Sequence, residues 1–210
     1  MSRAATYKKE SGSSGPGSVV PPRERILRAA RELFYARGIR AVSVDDIAEA
    51  ADTNKMTLYR HFESKDRLVA EYLRSLARDA DAMWDELART HPNDALAQLR
   101  AFVERVGAII AQSGDRGCAL ANAAVELPEK DHPARAVIEE HKRHQREQLS
   151  MLCSAAGLEN PERIADEIFL LLEGARVNVQ SVGGDSPGTR VGEMLCSLLR
   201  SAPRKARASA

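Results

Sequence analysis

Val42-Ser43-Val44-Asp45-Asp46-Ile47-Ala48-Glu49-Ala50-Ala51, followed after Asp52-Thr53-Asn54 by Lys55-Met56-Thr57-Leu58-Tyr59-Arg60-His61-Phe62, decides how the rest of this chain is read. Val44, Ile47, Ala48 and Ala51 fall at i, i+3, i+4 and i+7, which is one face of a short helix. Ser43 stands at the N-cap, and Asp46 three residues on makes an acidic version of the capping box. Asp52, Thr53 and Asn54 compete with helical backbone and favour a turn. Asn54 can then cap a second short helix from Lys55 to Phe62. Two short helices joined by a polar turn of three or four residues form a helix-turn-helix. By spacing alone the pair suits a DNA reader or an all-α interaction protein that never meets DNA.

Upstream, Ile26, Leu27, Ala30, Leu33 and Phe34 mark one face of a supporting helix. Pro22 fits its first turn and Gly38 its stop. Leu58 and Phe62 are expected to pack against Ile26, Leu33, Phe34 and Ile47. Residues 1–21 read as a flexible tail, Gly/Ser-rich over 11–18 and basic at Arg3, Lys8 and Lys9. The functional alternative for that tail is an arm that follows a DNA groove. Downstream, Ser64 caps a long helix in which Val69, Tyr72, Leu73, Leu76, Ala80, Met83, Trp84 and Leu87 keep one face. Further helical patterns follow, one carrying Leu96 to Ile110 and others near 118–127, 133–156, 161–182 and 189–200. Pro92-Asn93, residues 114–117, Pro128, Gly157 and residues 183–188 interrupt them. The expectation is an all-α chain of about nine helices: a helix-turn-helix domain over 22–66, then a larger helical domain over 67–205.

The composition agrees. Of 210 residues, 43% are hydrophobic and only 4% aromatic, a mix that suits helices over a β-sandwich or barrel. No apolar run approaches the roughly 18 residues of a membrane span, and no apolar stretch follows the basic N-terminus as in a secretory signal. A cytoplasmic protein is expected. Cys118, Cys153 and Cys196 are widely spaced without a CxxC, which argues against a disulfide scaffold or zinc finger. His132, His141 and His144 lie close in sequence, but no nearby carboxylate or Cys completes a metal set, so neither metal nor cofactor is expected. GxSxG, P-loop, GxGxxG and HExxH patterns are absent, which excludes the enzyme classes they mark. Residues 1–70 carry 13 Lys+Arg and 9 Asp+Glu, a net +4 on a chain of +1 overall. A mildly basic head can meet a polyanion.

Val42 to Ala51 followed by Thr57-Leu58-Tyr59-Arg60-His61-Phe62-Glu63-Ser64-Lys65-Asp66-Arg67-Leu68 resembles the TetR family of transcriptional repressors, over about residues 24–70. The resemblance implies a dimeric regulator that binds a pseudo-palindromic double-stranded operator and is released by a small-molecule effector. The capped starts at Ser43 and Asn54 suit phosphate oxygens. Thr57, Tyr59, His61 and Lys65 offer groups that hold a protein on the DNA backbone, as matching positions do in the family. Lys55, Met56 and Thr57 stand where base edges are read, and Arg60 faces backbone or solvent. Asp45 can accept from cytosine or help cap its helix; capping is the preferred reading. The family usually has Gly-Val where this chain has Asp52-Thr53, and Asp52 is expected to take the left-handed conformation.

One head reads too few bases, so a homodimer through the last two helices is expected. The stripes Ile164, Ile168, Leu171, Leu172, Ala175, Val179 and Val191, Met194, Leu195, Leu198, Leu199 are its candidate faces, unless they face the protomer's own core. Trp84, Phe102, Val106, Cys118, Asn122, His141, Glu173 and Arg176 are the candidate contacts for a partly apolar effector.

Overall fold

Prolines and short polar side chains start most of these helices. In a computed structural model that describes residues 20–112 and 116–205, α1 (Pro22–Arg37) has Pro22 in its first turn and ends at Gly38, where φ is 87°. Ser43 caps α2 (Val44–Ala50), Asn54 caps α3 (Lys55–Phe62) and Ser64 caps α4 (Lys65–Thr90). There follow α5 (Ala95–Gln112), α6 (Ala119–Glu126), α7 (Pro133–Ala155) and α8 (Pro161–Val182). A 3-10 turn, Pro187–Arg190, then leads into α9 (Val191–Ser201). The last element was expected as one helix from 189; Pro187 opens a tighter turn first, and the α-helix starts only at Val191. Among the described residues the sole β pairing is an isolated bridge between Leu158 and Arg204. Of the tail expected over residues 1–21, residues 1–19 with Arg3, Lys8 and Lys9 lie outside the described residues, as do positions 114 and 115 of the expected turn.

Two apolar clusters form. The first joins Ile26, Ala30, Phe34, Ile47, Leu58 and Phe62 of the first three helices to Leu68, Val69, Tyr72 and Leu73 of α4. It also takes in Leu120 and Ala123 of α6 and Val137 and Ile138 of α7. Leu58 and Phe62 therefore pack as expected. The division expected at 66/67 falls within α4, whose first turns complete the head's core. The second cluster holds Leu87, Phe102, Val106, Leu149, Ile168, Leu172, Leu195 and Leu199. With 26 residues, α4 is about 39 Å long at 1.5 Å per residue and roots one end in each cluster.

Two contacts position these layers. Arg40, just past α1, donates from its backbone N to Glu126 Oε2 at 3.0 Å and from Nε to the Glu126 carbonyl at 2.6 Å. Its Nη2 reaches Glu129 Oε1 at 3.1 Å, and the Arg116 guanidinium donates to the Ala36 carbonyl. These bonds fasten the end of α1 to α6. In the body, α5 and α9 approach through Gly107 and Gly192: a Cβ built on Gly107 would lie 2.7 Å from the Gly192 Cα.

Candidate nucleic-acid interface

Both helix starts expected to face a duplex are formed by side chains. Ser43 Oγ accepts from the Asp46 N–H at 3.0 Å, while the Ser43 N–H donates to Asp46 Oδ2 at 2.8 Å. The Ser43 hydroxyl and then its backbone N–H hold the Asp46 carboxyl below its usual range. Asn54 Oδ1 accepts from the Thr57 N–H at 2.9 Å, and Ser64 Oγ accepts from the Arg67 N–H at 3.1 Å. Each bond satisfies one N–H the helix cannot satisfy itself. Between α2 and α3, Asp52 takes φ of 48°, the left-handed turn expected of it, and the Thr53 N–H donates to the Ala48 carbonyl at 2.9 Å. Arg25 Nη1 lies 3.3 Å from Asp52 Oδ2 and ties that turn to α1.

On α3, Leu58 and Phe62 point inward, while Lys55, Met56, Tyr59 and Arg60 lie on the outer side. Met56 is 79% exposed and Tyr59 38%, so neither belongs to the head's core. Thr57 and His61 are half-buried at the edges of that face, and His61 Nε2 is buried without a hydrogen-bond partner. Lys65 opens α4 beside them; burial lowers its ammonium below the usual value, opposed by Asp66, Glu126 and Asp46. Asp45 stands with Asp46 in the first turn of α2, where its charge favours the helix start as expected, and it has a further partner. The box that caps α2 belongs to Asp46, and Asp45 Oδ2 instead accepts from Lys55 Nζ at 3.2 Å. The two are ten residues apart across the turn, a separation that helical spacing does not reveal.

The eight residues expected to contact an effector are not gathered around one cavity. Trp84 stacks on Phe102, with ring centroids 4.2 Å apart and planes at 15°. Phe102 and Val106 are buried in the body's core. Cys118 precedes α6, and Asn122 lines a concavity of about 370 Å³ between head and body together with Tyr35, Tyr72, Arg116 and Gln180. Glu173 sits between Lys142 and Arg176, each 2.5 Å away. Burial pushes the Glu173 carboxyl up, but the two cations outweigh it and hold it below its usual range. Among the described residues no group of three His, Cys, Asp or Glu could hold a metal ion. His132 and His144 each lie beside an aspartate, Asp66 and Asp81.

His141 is half-buried and its Nδ1 has no hydrogen-bond partner. Burial, with Lys142 adding to it, lowers its pKa below the ordinary 6.5. The unfolded chain therefore binds this proton more readily, and stability falls with pH as it drops through 6.5 toward the folded value. His141→Gln should lose less stability than wild type between pH 7.5 and 5.5 in urea titrations. Parallel curves for the two proteins would refute this.

The stripes offered for the dimer take the alternative left open for them and turn largely inward. Ile164, Ile168, Leu172, Ala175 and Val179 face the protomer's own core, as do Val191, Leu195 and Leu199. They are inner because Phe102, Val106 and Leu149 stand against them in the same cluster. The outward face of α8 carries Leu170, Leu171, Gly174, Val177 and Val182; Leu170 is 67% exposed and Val177 56%. Met194 is its neighbour in kind on α9.

Residues 26–72 match the family described as "Bacterial regulatory proteins, tetR family". The HTH-type transcriptional repressor KstR2 of Rhodococcus jostii (strain RHA1) is 40% identical over 81 residues, which is 39% of each chain. The HTH-type transcriptional activator FasR of Mycolicibacterium smegmatis is 37% identical over 102 residues, 46% of this chain and 45% of that protein. The chain thus matches less than half the length of these two relatives. The crystal structure of a TetR-family transcriptional regulator from Streptomyces coelicolor covers 85% of this chain and 92% of its own at 29% identity, with a TM-score of 0.75. The capped turn, the helices stacked behind it and these likenesses all point one way: residues 26–72 form a domain of the tetR family of bacterial regulatory proteins, and the chain as a whole is similar in fold to a TetR-family regulator.

Proposed function

We propose that this protein is a transcriptional repressor that binds a pseudo-palindromic operator as a homodimer, acts in the cytoplasm, and lets go when a partly apolar small molecule binds its body. The observation that carries the reading is the outer face of α3, where Lys55, Met56, Tyr59 and Arg60 stand clear of the core behind a capped N-terminus. The start of such a helix enters the major groove. Lys55, Met56 and Thr57 read base edges there, while Ser43, Asn54, Tyr59, Arg60, His61 and Lys65 position the head on phosphates. The second copy docks on the outward apolar face of α8 and on Met194 of α9. The effector contacts Trp84, Phe102, Val106, Cys118, Asn122, His141, Glu173 and Arg176, entering by parting helices that are closed on one another here. Its binding tilts α4 and moves the paired heads off the 34 to 36 Å spacing of about one DNA turn. Release requires that it bind the parted form more tightly, because equal affinity shifts nothing.

The test is an anisotropy titration of the full chain with duplex DNA from upstream of its own gene, over a range of salt. Lys65→Ala should weaken binding alike on every sequence and flatten the salt slope by about one per head. Leu170→Asp with Val177→Asp should yield monomers that lose the operator but keep weak nonspecific binding. A wild-type protein that retains no duplex at low salt would end the proposal, and a reporter that falls when the protein is removed would make it an activator.

A further inference from the structure

We infer that Asp45 and Lys55 act together as one reader of a C·G base pair, the lysine taking guanine and the aspartate taking cytosine. The inference rests on the DNA-binding reading above and specifies one position of the operator. An aspartate beside a helix that enters a phosphate-lined groove opposes binding, so its presence there calls for a compensating contact. The capping hydrogen bonds of α2 are made by Asp46, the first-turn charge of Asp45 is worth only about 0.3 to 1 kcal/mol, and an exposed ion pair adds little to stability. Asp45 and Lys55 side chains are 71% and 51% exposed, so both remain open to a ligand while paired.

The chemistry of the pair fits one base pair best. Lysine only donates and an ionised aspartate only accepts. In the major groove guanine offers N7 and O6 as acceptors, and cytosine beside it offers the N4 donor. Guanine O6 and cytosine N4 are themselves hydrogen-bonded, at about 2.9 Å. The Lys55 Nζ to Asp45 Oδ2 distance is 3.2 Å, nearly the same spacing. The ion pair can therefore lie along that edge, with Nζ on O6 and N7 and the carboxylate on the outward N4 hydrogen, and keep its own contact. An A·T pair, with adenine in cytosine's place, also sets an acceptor beside a donor. There, however, the lysine meets a single acceptor crowded by the thymine methyl, and adenine N7 faces the carboxylate, lone pair to lone pair. Reversing C·G places acceptor against acceptor.

The test is selection of full-length protein on a randomised duplex pool, with wild type beside Asp45→Ala, Lys55→Ala and the double variant. Each enriched position is then titrated with all four base pairs, and thermal melts confirm that every variant is folded. One position per half-site should prefer C·G by about tenfold in wild type. Either single variant should lose that preference, the double should lose no more, and the other positions should keep theirs. The inference is overturned if Asp45→Ala keeps the preference while gaining affinity on every sequence, since Asp45 would then only screen the lysine's charge. It is equally overturned if the two residues act at different positions or at none. A wild type that enriches no sequence would overturn the regulator reading itself and this inference with it.

Discussion

Phe102→Ala should lower the stability of the folded chain by about 3 to 5 kcal/mol, the range for removing a fully buried aromatic ring. Phe102 is completely buried, lies at the centre of the body's cluster, and stacks on Trp84 from α4. Truncation leaves a void lined by helices that pack on other neighbours and cannot all close on it. Against a typical domain stability of about 5 to 15 kcal/mol, that is a large share. Trp84 is the single tryptophan in the sequence, so its emission reports the site directly. The expected result is a lower urea midpoint together with a red-shifted native spectrum, as water reaches the indole. A loss below about 1 kcal/mol with an unchanged spectrum would show that the stacked pair is not a packing centre.

Gly107→Ala should also be damaging, though less so than Phe102→Ala, and Gly192→Ala on the facing helix should not. A Cβ at 107 would meet the Gly192 Cα at 2.7 Å and its N at 2.9 Å, both backbone atoms that cannot rotate away. A Cβ at 192 finds the Gly107 Cα and the Val103 carbonyl at 3.6 Å, ordinary contact. At position 107 the gain in helix propensity from alanine, up to about 1 kcal/mol, is outweighed by overpacking of about 1 to 3 kcal/mol. At 192 the propensity gain stands almost alone. Since α9 forms part of the proposed dimer face, Gly107→Ala should also weaken self-association, although residue 107 touches neither partner nor DNA in that proposal. Melting curves and sedimentation of the two variants check both halves of the contrast; equal melting temperatures would refute it.

The head was legible because its signals are local. Ser43 with Asp46, Asn54 at the next start and the i, i+3, i+4, i+7 pattern between them lie within a few residues, and each became the bond or buried face expected of it. Asp52 in the left-handed turn belongs to the same class. Asp45 was read as an acid of the first turn, which it is; its pairing with Lys55 was not legible, because the two meet only through the path of the chain across the turn. On α8, periodicity marks an apolar stripe without saying which molecule covers it. Ile168 and Leu172 turned inward, while Leu170, from the same apolar run, and Val177, between Arg176 and Asn178, were left outside. The effector contacts were less legible still. They were chosen from five helices far apart in sequence, and Glu173 shows why the choice is hard. A carboxylate on an apolar face reads as a ligand group until Lys142, on another helix, is seen to neutralise it.

The clasp of Arg40 on Glu126 and Glu129 has a mechanical consequence. A head joined to its body by α4 alone would pivot like a door on one hinge. Here a second edge is latched, with two donors of one arginine on the last residue of α6, a third on Glu129 just beyond it, and a second arginine closing from the other direction. A swing of the head must therefore drag α6 along or spring the latch. Whatever displaces α6 is felt at the end of α1 without travelling through the long helix at all.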